Sequence, residues 1–183
     1  MTAVPDPLVG LAGELAGAGA LVGGTAIGSV PAPAADPSMV IARLNSLLRG
    51  EISAAETYRN ALGRMSTGGH ADLFQPLEAI QAEHARACRA IRGRIDELGG
   101  EASETSGVWG IWAQAVEGTL ALLGGDVGGL RALREGEEHG QRDYESALNQ
   151  VDAITAQLIQ DRLLPGQQAH VAALDRMLAG RVG

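Results

Sequence analysis

Four ionisable residues of this chain stand in a register that chemistry can use. Glu51 and Glu137 lie 86 positions apart, and so do His84 and His170. Each has a matched neighbourhood. Leu47, Gly50, Glu51, Ala54, Tyr58, Ala61 and Leu62 are answered by Leu133, Gly136, Glu137, Gly140, Tyr144, Ala147 and Leu148. Gln81-Ala82-Glu83-His84 is likewise answered by Gln167-Gln168-Ala169-His170. Two carboxylates and two imidazoles suit a borderline divalent cation such as iron, manganese or zinc. The same four groups can also close a buried acid–imidazole network, with Gln81 and Gln167 completing its hydrogen bonds and no metal present.

For either chemistry the residues must meet, and helix geometry brings them together. From Ser38, a plausible N-cap, Val40, Leu44, Leu47, Leu48, Ala54, Ala55, Tyr58 and Leu62 recur at helical spacing until Thr67-Gly68-Gly69 breaks the pattern. A second helix over about 71–98 turns Leu73, Leu77, Ile80, His84, Cys88, Ile91 and Ile95 inward and stops at Gly99-Gly100. Asp126 and Asp152 can cap two more helices, running to about Asn149 and Leu178. Glu51 and His84 are equally far from the first break, roughly 22–25 Å at 1.5 Å per residue. An antiparallel hairpin therefore puts them at one level, and the same holds for Glu137 and His170 about the break near Asp152. Tyr58 and Tyr144 lie two turns from the glutamates on the same faces. Pro165 falls inside the last helix, where it should kink the backbone near His170.

Composition narrows the function classes. The chain has 183 residues, a net charge of −8 and no lysine. An acidic surface argues against nucleic acid as a partner, and the missing lysine excludes Schiff-base and P-loop lysine chemistry. The single cysteine, Cys88, excludes an internal disulfide and suits a reducing, cytoplasmic setting. Its counterpart 86 positions on is Leu174, so Cys88 reads as a small buried hydrophobe. Residues 1–37 carry no Arg or Lys, seven glycines and five prolines, and read as a flexible tail ahead of a helical domain over 38–183. Their apolar small-residue spacing leaves the tail as the one route to a membrane.

The Glu, small residue at +3 and Tyr at +7 of the first helix resemble bacterioferritin and rubrerythrin. So does the long crossover holding Trp109 and Trp112, which Ser106 can start as a short helix with Val116 and Leu120. The stretch from Ser106 to Leu148 is closer to uncharacterised ferritin-like proteins than to storage ferritins. The resemblance covers about residues 40–180. It implies an all-α four-helix bundle, built from two helix hairpins related by a pseudo-twofold with an extra crossover helix. It also implies a homo-oligomer, a dimer or larger, and a metal site.

The family's ligand set is one Glu from each of two helices and Glu-x-x-His from each of the others. Glu51, Glu137, His84 and His170 match it. Gln81 and Gln167 stand where the family has bridging carboxylates, which reduces the expected content to one metal ion. Two functions remain open on the sequence: a ferritin-like metal protein handling iron or stress chemistry, and a metal-free helical scaffold that acts by oligomerisation or through a partner.

Overall fold

The computed structural model describes residues 35–65, 71–107 and 126–181. Its secondary structure is helical: α1 (Pro37–Met65), α2 (Ala71–Glu97), α3 (Asp126–Ala147) and α4, which spans 153–179. The tail before residue 35, the Thr67-Gly68-Gly69 break, His70 and the crossover segment with Trp109 and Trp112 lie outside the described residues.

The helix ends follow local chemistry. The cap of α1 is Asp36 rather than Ser38. The Asp36 carboxylate accepts from the Ser38 backbone N–H and hydroxyl, both at 2.8 Å, and its carbonyl takes the Val40 N–H at 3.1 Å. An ionised acceptor outcompetes a hydroxyl there, and Pro37 fills the first helical position, where a missing N–H costs nothing. α2 is closed off by Gly99, two residues past its end, whose φ of +73° is the left-handed turn that glycine makes without strain, as the Gly100 N–H returns to the Ile95 carbonyl at 3.0 Å. Asp152 caps α4, accepting from the N–H groups of Ile154 and Thr155 at 3.0 and 3.1 Å.

α1 packs along α2, and α3 packs along the last part of α4. The two hairpins meet through α1 with α3 and α2 with α4. Their ends are clamped by charge. Arg94 of α2 donates to Thr155 and Asp152 at 2.9 Å each, and Arg181 donates to Asp72 at 3.0 Å. Two apolar clusters fill the interior. One gathers Val40, Leu44, Leu48, Ile91, Ile95, Ile159 and Leu163, and the other Leu62, Leu73, Leu77, Ile80, Leu130 and Leu174. Every inward residue expected on α2 is buried, including His84 and Cys88.

Pro165 acts differently from a simple kink. The helix widens before it into a π-helical turn, Ile159–Leu163, in which the Leu164 N–H bonds the Ile159 carbonyl, and Pro165 then opens the α-helical stretch Leu164–Ala179. Proline has no N–H to give, and one wide turn absorbs the mismatch just ahead of Gln167 and His170.

Candidate metal centre

The polar residues of the repeated pattern converge between the helices. Glu51, His84, Glu137, Gln167 and His170 are all buried. His84 sits between the two glutamates: its Nδ1 lies 2.8 Å from Glu51 Oε2 and its Nε2 lies 3.0 Å from Glu137 Oε1. One imidazole thus spans the gap between the carboxylates. His170 Nδ1 lies 3.2 Å from Glu137 Oε2, and the two imidazole rings are 4.8 Å apart between centroids. Donor atoms of His84, Glu137 and His170 all fall within 4.8 Å of one another. Glu51 stands outside that trio, on the other ring nitrogen of His84.

The tyrosines reach across rather than along. The Tyr58 hydroxyl donates to Glu137 at 2.6 Å, and the Tyr144 hydroxyl donates to Glu51 at 2.6 Å. Seven residues of rise separate each tyrosine from the glutamate on its own helix, too far for contact. Because α1 and α3 run antiparallel, each tyrosine instead comes level with the glutamate of the other hairpin. The sequence places these rings on the correct face but does not reveal which carboxylate they serve.

Electrostatics follow from this packing. Burial disfavours a charged His84, yet the facing charges of Glu137 and Glu51 and their hydrogen bonds override it and raise the imidazole to about 10. Both ring nitrogens then carry protons, and His84 is an imidazolium donating to a carboxylate on each side. Burial likewise pushes the Glu137 carboxyl upward, but His84 and His170 outweigh it and hold the group well below the usual carboxylate range. Burial, then the neighbouring glutamate charge, pushes Tyr58 and Tyr144 well above the usual phenol value, so both stay protonated donors. Cys88 is pushed up to about 12, first by burial and then by Glu51, which keeps it a thiol and agrees with its reading as a core hydrophobe.

The two glutamines diverge. Gln167 is buried, and its amide donates to the Glu137 carboxylate and, at 2.9 Å, to the Glu137 carbonyl. Gln81 is half-buried, and none of the described hydrogen bonds joins it to Glu51. His170 Nε2 is buried without a hydrogen-bond partner among the described residues. A cavity of about 60 Å³ between α1 and α3 opens onto Glu51, His84 and Glu137, edged by Gly50, Ala54, Gly136 and Gly140.

Comparison with known proteins gives the family and the fold. Residues 39–150 match the model of a family described as Domain of unknown function (DUF2383). The chain belongs to that family. No curated protein matches it. Its fold is similar to the crystal structure of a ferritin-like, diiron-carboxylate protein from Bacillus anthracis str. Ames, with a TM-score of 0.63 and 19% identity over 78% of this chain and 96% of that one. The DUF2383 chain is therefore an all-α bundle of ferritin-like fold. Among the described residues, no helix of this DUF2383 protein is long and apolar enough to cross a membrane.

Proposed function

We propose that this protein binds one divalent metal ion, iron, manganese or zinc, in the interior of the bundle. The observation that carries the reading is the compact buried trio of His84, Glu137 and His170. These residues would hold the ion, and Glu51, one imidazole away, is the fourth group available. The donor set fits a single cation. It does not fit two, because Gln81 and Gln167 offer neutral amides where a pair of cations needs bridging carboxylates. Iron or manganese bound there would supply redox chemistry and zinc a Lewis acid.

The chain's own residues supply the rest. His84 in the metal-free protein is the cation between two carboxylates, so metal uptake must release its proton and weakens as pH falls. Tyr58 and Tyr144 fix the carboxylate orientations through their hydroxyls. Uptake of iron in a reducing cytoplasm, by an oligomer of two or more chains, is the activity this reading implies. A second reading has one observation in its favour. His84 already joins the two carboxylates by hydrogen bonds at 2.8 and 3.0 Å, so the same belt supports a metal-free scaffold acting by oligomerisation.

Anaerobic titration with ferrous iron, counting ions per chain, separates the two. One ion in the wild type and two in the Gln81→Glu/Gln167→Glu variant are expected. Two ions in the wild type would refute the bridging role given to the glutamine positions, and none in either protein would leave the scaffold.

A further inference from the structure

We infer that Gly140 is a positioning residue that makes the two halves of this polar belt unequal, by admitting the Gln167 amide onto Glu137. A methyl group at position 140 would lie 2.7 Å from Gln167 Nε2 and 3.1 Å from its Cδ. The obstacle is therefore the end of a side chain, and the amide is what must move. With glycine present, Gln167 is buried and donates to both the carboxylate and the carbonyl of Glu137. The matched position on α1, 86 residues earlier, is Ala54, which carries that methyl. Its glutamine, Gln81, is half-buried and makes no described hydrogen bond to Glu51. Glycine thus accompanies the glutamate that has an amide donor, and a methyl the one that lacks it.

The consequence for the site rests on the metal-binding reading. An amide N–H on Glu137 Oε2 competes with a cation for the same lone pairs, so Gly140 tunes the affinity of the His84–Glu137–His170 trio. Alanine is a better helix former than glycine, so Gly140→Ala retains the fold and isolates this effect.

The test reads the glutamine side-chain amides by proton–nitrogen correlation spectra of the metal-free protein. The wild type should show one Gln amide pair shifted downfield and protected from solvent exchange, which Gln167→Ala removes. Gly140→Ala should abolish that pair, and Ala54→Gly should create a second one, removed in turn by Gln81→Ala. Persistence of the Gln167 pair in Gly140→Ala overturns the proposal, as does failure of Ala54→Gly to create a new one. Cobalt(II) titration then reads the consequence. Gly140→Ala should bind about tenfold more tightly, the equivalent of one hydrogen bond to a charged group. Equal affinity in both proteins would refute the tuning. Absence of cobalt binding in both would refute the metal reading, while the amide spectra still decide the role of Gly140.

Discussion

Glu137 and Glu51 occupy matched places on two antiparallel helices, yet their surroundings differ. Among the described residues, Glu137 accepts hydrogen bonds from Tyr58, His84, Gln167 and His170, whereas Glu51 accepts from Tyr144 and His84 alone. The residues that make these contacts are the same types in both hairpins. What differs is a methyl at position 54 that position 140 lacks, and a π-helical turn in α4 whose place in α2 is regular helix. A matched set of chemical groups therefore does not guarantee a matched site. Packing one layer away decides how many donors a buried carboxylate receives, and so how firmly its charge is held.

Removing each carboxylate tests the comparison hardest. In metal-free protein, Glu137→Ala strands four donors, one of them a buried imidazolium, and should cost about 3–5 kcal/mol of unfolding free energy. Glu51→Ala strands two, Tyr144 and the other side of the same imidazolium, and should cost about 1–3 kcal/mol. Urea unfolding of both variants in the presence of chelator measures the gap. Equal losses would mean that the extra donors on Glu137 contribute nothing.

A more gradual effect is expected from pH, with a slope of at most about 1.4 kcal/mol per pH unit for each proton. His84 rises from 6.5 unfolded to about 10 folded, so its contribution is complete below pH 6.5 and is lost as pH climbs toward 10. Glu137 is depressed from 4.5, so its contribution is complete above pH 4.5 and is lost on acidification below it. As far as these two groups decide, the metal-free protein should be most stable between pH 4.5 and 6.5. Urea midpoints measured from pH 3 to 10 trace both limbs, and a flat profile between pH 7 and 10 would mean that His84 is not held as an imidazolium.

Much of this was legible in the sequence, and the reasons are local. The rise of an α-helix fixes the height of Glu51 against His84 once the chain break between them is known, and Glu137 against His170 follows the same rule. The inward face of α2 was legible because its apolar residues recur at helical spacing. Tyr58 and Tyr144 were placed on the correct face but not with their carboxylates, since that pairing depends on how one hairpin lies against the other. Asp36 displaced Ser38 as the cap because Pro37 needs the first helical position, a choice that spacing alone leaves open. The wide turn before Pro165 was beyond reach, because a proline can be absorbed by a bend or by a π-helical turn and the surrounding packing chooses. Gly140 and Ala54 stood in plain view as a mismatch within a matched pattern. Their meaning required the position of the Gln167 amide.

On the proposed reading this buried belt holds one cation between His84, Glu137 and His170. Crystals of the protein grown with zinc, with anomalous differences measured on either side of the zinc absorption edge, test it most directly. A single interior peak within bonding reach of His84, Glu137 and His170 is the expected result. Two interior peaks, or zinc found only at the surface with His84 still lying between Glu51 and Glu137, would contradict it.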